Sequence, residues 1–416
     1  MQIGKKGITI IIAGTILLVG VMALFVFITA PESPILVTVE PSQIPLTSLS
    51  AQNTAFDIVR AMGAGWNLGN TLDSIDNRKR GIVSNLRDDI PAVLFYETYW
   101  GNPVTTPEMI ASIAKMGFGA VRVPVTWTDH LDEDFNIRPE WLERVEQIVN
   151  YVLDNGMYCI INMHHDTGSG SWPWLRADMD NIEWMEEKLA IVWTQIAEHF
   201  KDYGEKLLFE SFNEILDARS RWGNAGIAAY NAVNRLNQAF VSTVRGTGGN
   251  NAERYLVVKT YASGARTDDI VEAFALPFDS AEDRLIVSVH YYGNHGFVWH
   301  QEDVNWTTAY PEWTPRRDGM PVEQVMKRLY DNFVSKGIPV IIGEFGAMNK
   351  NNTTDRISYA AHYVETAKQY GIACFWWDGG GRFANAESVT SMALFDRYAN
   401  QWFFPEIAEA IVNAAK

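Results

Sequence analysis

The sequence predicts a single (β/α)8 barrel, a TIM barrel, preceded by an N-terminal signal-anchor or transmembrane helix and a linker. Three observations predict it. From residue 54 onward, eight short apolar runs rich in β-branched and aromatic residues alternate with amphipathic helical stretches. Asn67, Arg122, His164, Asn213, Glu214, His290, Glu344 and Asp378 stand at or just past the C-terminal ends of these runs, the end of a barrel where active sites form. Two linked doubly wound domains would show the same alternation. The turn after the first run, "GWNLGN", is not the G-x-G-x-x-G that such domains usually carry.

The chain opens on a short basic stretch, "MQIGKKG". "ITIIIAGTILLVGVMALFVFITA" (8–30) follows, 23 residues without a charge. That length spans a hydrocarbon layer of ~30 Å and exceeds the about 7–15 apolar residues of a cleaved signal peptide. An uncleaved signal anchor with Lys5 and Lys6 inside is expected. Cleavage at Ala30 is the alternative, although Ile28 is bulky for it; either way the rest is exported. Residues 31–53 are Pro-, Ser- and Thr-rich without helical periodicity and read as a linker. Residues 54–416 then form the barrel. Its runs are "GAGWNLG" (63–69), "AVRVPV" (120–125), "YCIINMH" (158–164) and "LLFESFN" (207–213), then "YLVVKTY" (255–261), "LIVSVHYY" (285–292), "PVIIGEFG" (339–346) and "ACFWWD" (373–378). Helical stretches between them include "PEMIASIAKM", "WLERVEQIVNYVLDNG", stopped at Gly156, and "EWMEEKLAIVWTQIAEHF", which Asp180 or Asn181 could cap.

The 416 residues are 47% apolar, enough for a large core. The net charge of −16 comes with no basic stripe, which excludes a nucleic-acid partner and suits a monomeric catalytic domain. Cys159 and Cys374 lie inside apolar runs and are expected as buried thiols, not a bridge. No cofactor or metal is expected: there is no HExxH or cysteine cluster, and His164 and His165, adjacent on a strand, would point to opposite faces.

In "LLFESFNEI" (207–215) two glutamates end an apolar run. Strand alternation puts Leu208, Glu210 and Phe212 on one face, so Glu210 points into the barrel, a buried carboxylate held by Arg or backbone donors. Its Cα would lie ~13 Å from that of Glu214 at ~3.3 Å per residue, too far to be the partner in a retaining glycosidase, whose carboxyls stand about 5–5.5 Å apart. Glu344, at the rim of the seventh run, can reach Glu214 across the cleft. One would act as acid/base with a raised pKa, the other as an ionised nucleophile. Asn213 could hold a sugar 2-OH, Arg122 could keep the nucleophile charged, and His290 and Tyr292 could bond the carboxylates or the substrate.

"GWNLGNTLD", "WGNPVTT", "VRVPVTW", "INMHHD", "FESFNE", "VHYYGNHGF", "IPVIIGEFGA" and "CFWWDGG" occur in order on successive strands. Together they resemble glycoside hydrolase family 5, most closely its subfamily 4 of endo-β-1,4-glucanases, over residues 55–410. The resemblance implies Glu214 as acid/base and Glu344 as nucleophile, supported by Arg122, His164, Asn213, His290, Tyr292 and Trp377. Trp377 would be the sugar platform beside the cleavage point, with Trp376 turned into the packing. Asn70, Asp73, His165 and Asp378 match glycone-side substrate contacts. Trp127, Trp172, Trp174, Trp222, Trp299 and Trp306 could line an open cleft. The implied substrate is a β-glucan polysaccharide, with xyloglucanase, lichenase, xylanase and mannanase as alternatives within the family. A non-catalytic carbohydrate-binding barrel is a further alternative, opposed by the presence of both glutamates. The sequence departs from the family pattern at Ile215, where proline is usual, and at Gly379, where asparagine is frequent.

Overall fold

The computed structural model describes residues 53–76, 92–170, 172–380 and 391–416. The expected signal anchor (8–30) and residues 31–52 of the expected linker lie outside them. Among the described residues no helix is long and apolar enough to cross a membrane.

Eight parallel strands close into one barrel in sequence order. They are β1 (Ala64–Leu68), β2 (Ala120–Val123), β3 (Tyr158–Asn162), β4 (Leu207–Glu210), β5 (Leu256–Lys259), β6 (Leu285–His290), β7 (Val340–Phe345) and β8 (Ala373–Asp378), with β8 pairing back onto β1. Alternation sorts their side chains into two cores. Outward residues such as Val121, Cys159, Phe209, Val258, Val287 and Trp376 pack against the surrounding helices. Inward residues Ala120, Ile160, Leu208, Val257, Ile286, Ile341 and Phe375 form a separate interior cluster. Helix α1 (Ala55–Met62) plugs the barrel's N-terminal end, adding Ala55, Ile58, Val59 and Met62 to that cluster. Thr54 and Asp57 start it with a reciprocal capping box. Gly65 makes room for Phe375: a Cβ there would lie 2.3 Å from the ring.

Above this floor the inward residues turn polar. Asn67, Arg122, Asn162, Glu210, Lys259 and Ser288 come from β1 to β6 in turn and are fully buried. In β7 strict alternation would fail. Ile341 faces in and Ile342 faces out, so two further residues would return Glu344 to the outer face. The register with β6 slips at this point, pairing Val289 with Ile342 but His290 with Glu344. The extra residue, Gly343, is a bulge that re-aims Glu344 inward and leaves Phe345 in the outer core.

The helices differ from expectation in one detail and Phe212 in another. "PEMIASIAKM" is the helix Pro107–Met116, and the helix Pro139–Asp154 gives way at Gly156, which has φ +74°. Asn181 does occupy the N-cap of the helix Ile182–His199 but makes no side-chain capping bond; its amide donates instead to Asp178. Phe212 does not share Glu210's face. β4 ends at Glu210, alternation lapses, and Phe212 joins the outer core. Cys159 and Cys374 are free and buried.

Candidate active site

Arg122 is the hub of the polar layer. Its Nε and Nη2 donate to Glu210 (3.1 and 2.6 Å), Nη1 to Asn67 Oδ1 (3.0 Å) and Glu344 Oε1 (2.8 Å), and Nη2 to Asn213 Oδ1 (2.9 Å). All five guanidinium N–H groups are used, which fixes the side chain in a fully buried place. Glu210 is the counter-ion that Arg122 requires. It also accepts from Asn162 (2.9 Å) and faces the Lys259 ammonium at 3.4 Å. Those partners overcome burial and hold its carboxyl below the usual range. Asn67 donates to the Gly343 carbonyl (2.9 Å), which pins the β7 bulge.

Glu344 and Glu214 meet above this layer. One carboxylate oxygen of each and a ring nitrogen of His290 all lie within 4.8 Å of one another. Glu344 takes the Arg122 guanidinium on Oε1 and the Tyr292 hydroxyl on Oε2, each at 2.8 Å. Glu214 has His290 Nδ1 at 2.8 Å. It sits on a loop clamped from two sides. The Asn213 amide donates to the Met163 carbonyl, and Ser263 Oγ donates to the Asn213 carbonyl (3.1 Å). Ala262 donates to the Ile215 carbonyl (3.0 Å). Ala262 and Ser263 hold φ of +55° and +50° to make these contacts, a strain of about 1–3 kcal/mol each that the surrounding packing must impose.

The two carboxyls have unequal surroundings. Burial, reinforced by the facing Glu344, pushes Glu214 up to about 8, although 24% of its side chain still opens to the cleft. Burial raises Glu344 as well, but Arg122, Tyr292 and Lys259 pull it back. Both are raised, and of the two it is Glu214 whose surroundings favour the proton and Glu344 whose cation and hydroxyl partners favour the charge. His290 and His164 are both neutral, since burial and nearby cations hold them well below the usual histidine value.

The remaining predicted residues fall in three groups. Trp377 is half-buried at the cleft, its ring parallel to His164 at 5.8 Å and packed over Gly69; Trp376 is buried with its indole N–H on the Met392 carbonyl. Asn70 and His165 are half-buried beside it, the latter between Trp100 and Trp172. Asp73 and Asp378 are fully buried. Asp73 accepts from the amides of Asn70 and Thr71, and burial lifts it to about 6. Asp378 accepts from the amides of Gly380, Leu394 and Phe395 and from Arg397. Among the tryptophans, Trp222, Trp299 and Trp306 are exposed, with Trp299 4.8 Å from the Tyr292 ring, and Trp172 and Trp174 are half-buried. Trp127 is not a cleft residue: it is fully buried, its indole N–H on the Asn162 carbonyl.

His164 and His165 do not diverge as expected. β3 has ended at Asn162, so strand alternation no longer applies, and their rings stand 4.6 Å apart at 84°. Atoms of both lie within 4.8 Å of Asp73, and His164 Nδ1 is 3.2 Å from the Asn162 amide. Three residues were missed from the sequence. Lys259 carried the same signal as Glu210, a charge inside an apolar run. Asn162 was marked by alternation with His164. Trp100 opens the quoted "WGNPVTT" but was not singled out as a site residue. At Gly379 a Cβ would meet the Asn70 amide at 2.8 Å, so an asparagine there would contend with Asn70, itself at φ +56°.

Residues 88–382 match the profile of Cellulase (glycosyl hydrolase family 5). Endoglucanase A of Ruminococcus albus is 38% identical over 369 residues, 87% of this chain and 93% of that protein. Cellulase/esterase CelE of Acetivibrio thermocellus is 40% identical over 366 residues, 87% of this chain; the chain spans only 40% of that longer protein. The structure of a GH5-4 broad-specificity endoglucanase from Ruminococcus champanellensis with bound cellotriose superimposes with a TM-score of 0.77 at 36% identity, covering 86% of this chain and 98% of that one. With a closed eight-stranded barrel, two facing glutamates on β7 and the loop after β4, and a family match over most of its length, the chain belongs to the glycosyl hydrolase family 5 cellulases and is a glycoside hydrolase.

Proposed function

We propose that the chain is a retaining endo-β-1,4-glucanase of subfamily 4, with Glu344 as nucleophile and Glu214 as acid/base. The observation that carries this reading is the separation of the two carboxyls. Oxygens within 4.8 Å match the about 5–5.5 Å of retaining enzymes and leave no room for the water an inverting enzyme places across about 6.5–9.5 Å. The asymmetry of their surroundings supports the division of roles. Glu344, held ionised by Arg122 and Tyr292, attacks the anomeric carbon. Glu214 gives its proton to the departing glycosidic oxygen as that bond breaks. Glu214, now a carboxylate, then takes a proton from water, which displaces Glu344 and releases a sugar of the original configuration. Asn213, held by Arg122 beside the acid, is placed to bond the sugar 2-OH. Trp377 supplies the flat apolar face for the ring bound next to the cleaved bond. Asn70, Asp73, His165 and Asp378 are assigned to the glycone side, the two buried acids Asp73 and Asp378 acting through the backbone they hold.

Two measurements test this. Glu344→Gln should fold and lose about 10⁴-fold or more of kcat on a soluble β-1,4-glucan; substantial turnover would overturn the assignment. Proton NMR of fresh product should show the β anomer first, and an α anomer would refute retention.

We further propose that residues 54–416 are the catalytic domain, that it acts as a monomer on the outer face of the cell, and that residues 8–30 anchor it in the bilayer through the linker 31–53. The support is the 23-residue uncharged run behind a basic stretch. Membrane fractionation decides: full-length protein in the membrane pellet is expected, and a shortened chain in the medium would mean cleavage.

A further inference from the structure

Lys259, at the end of β5, is a fully buried ammonium that the reaction described above does not use. Its nitrogen lies 2.9 Å from Ser288 Oγ, 2.9 Å from His290 Nε2 and 3.4 Å from Glu210 Oε2. An ammonium has three N–H groups and no lone pair, so these three neighbours must all accept. His290 Nε2 is therefore bare, and the ring's proton is on Nδ1, the nitrogen 2.8 Å from Glu214 Oε1. Space for this arrangement comes from Gly343, where a Cβ would lie 2.7 Å from Ser288 Oγ and 3.0 Å from His290 Nε2.

We propose that Lys259 is a positioning residue for the acid step, fixing His290 as the Nδ1–H tautomer so that His290 donates to Glu214 and leaves the acid's own proton on Oε2. The proposal deepens the reading of Glu214 as the acid and rests on it. The opposite tautomer would invert the bond. Nδ1 would then accept the Glu214 proton and hold it away from the leaving oxygen. Lys259 keeps its charge because Glu210 on β4 and Glu344 on β7 oppose the burial and the like-charged Arg122 on β2, which bring it down to about 8. His164, just past β3, and His290 on β6 are neutral, and burial beside Glu344 keeps the Tyr292 hydroxyl protonated.

Two experiments decide. In protein labelled with ¹⁵N-histidine, the His290 signals, identified by their loss in His290→Asn, should show a protonated Nδ1 and a bare Nε2. A wild-type spectrum with the proton on Nε2 overturns the proposal whatever the variants do. The second compares two substrates. Cellotetraose needs acid assistance; 2,4-dinitrophenyl β-cellobioside, with a leaving group that departs as the anion, does not. Lys259→Met should lose about 10–100-fold in kcat/KM on cellotetraose and less than about threefold on the dinitrophenyl glycoside, with the His290 proton moved to Nε2. Lys259→Gln, which keeps a donor, should recover much of the loss and serves if the methionine variant does not fold. Equal losses on both substrates overturn the proposal. Glu214→Gln separates the two readings. If it too loses equally on both substrates, the acid role itself fails. If it spares the dinitrophenyl glycoside while Lys259→Met does not, the acid stands and only Lys259 is reassigned.

Discussion

The lower and upper halves of the barrel interior are lined by the same eight strands and follow opposite rules. Below, Leu208, Ile160, Val257, Ile286 and Ile341 fill space around the α1 plug, and each contributes by leaving water, about 1.5–3 kcal/mol for a full side chain. Two residues higher on the same inward face, Glu210, Asn162, Lys259 and Ser288 gain nothing by leaving water and are held by hydrogen bonds and charge, to one another, to Arg122 and to neighbours such as the Val125 amide and His290. A buried charge network is seldom more stable than an apolar core of the same volume. What the upper half gives instead is a fixed field beneath Glu214 and Glu344, and that difference can be tested one layer at a time.

The largest effect is expected from Arg122→Met. It removes five hydrogen bonds and leaves Glu210 and Glu344 without their cation, so stability should fall by about 3–5 kcal/mol. Activity should fall by at least about 10³-fold, since Glu344, the proposed nucleophile, loses its charge stabilisation. Denaturant melts and kcat on folded protein measure the two losses separately. Leu208→Ala, in the layer below, should cost a similar about 2–5 kcal/mol through its cavity. Its kcat per folded molecule should stay within about twofold. A large kcat loss in Leu208→Ala would erase the distinction between the halves.

Protonation sharpens the comparison. Glu210 and Glu214 are four residues apart, yet one carboxyl is held low and the other is raised to about 8. A carboxyl raised on folding stabilises the protein fully below its unfolded value, here 4.5, and loses that contribution as pH rises towards 8. Glu214→Gln stays neutral throughout. It should lie close to the wild-type melting temperature at pH 5 and exceed it at pH 9, by up to about 4 kcal/mol of stability. Thermal melts across that range check it, and an unchanged difference between the two pH values would contradict the raised pKa. The alkaline limb of kcat/KM should likewise fall near pH 8.

Much of this site was legible in the sequence because barrels put polar residues where strands end. Glu214, Asn213, Arg122 and His164 followed from that rule. What misled was the assumption that alternation continues past a strand's end. It placed Phe212 with Glu210 and drove His164 and His165 apart, while the chain had already left the sheet at both places. Glu344 was found through its rim position and motif; alternation from Ile341 would have turned it outward, because a one-residue bulge leaves no mark in composition beyond Gly343. Lys259 was missed because candidates were drawn from the rim, one turn of the pleat above it.

The smallest effect is expected at Ile215, where the family usually has proline. Ile215 is fully buried against the outer core, and its carbonyl accepts from Ala262, part of the clamp on the Glu214 loop. Among the described residues its amide donates to no backbone or side-chain acceptor, so proline would remove no hydrogen bond. Proline would restrict the unfolded chain, worth about 0.4–1 kcal/mol, and would give up part of the isoleucine's packing, about 1 kcal/mol. These nearly cancel. Ile215→Pro should therefore shift stability by less than about 1 kcal/mol and leave kcat within about threefold. A larger kcat loss would mean that the clamp holding Glu214 depends on the isoleucine side chain. The boundary between the apolar and reactive halves would then run through the outer core as well as the barrel interior.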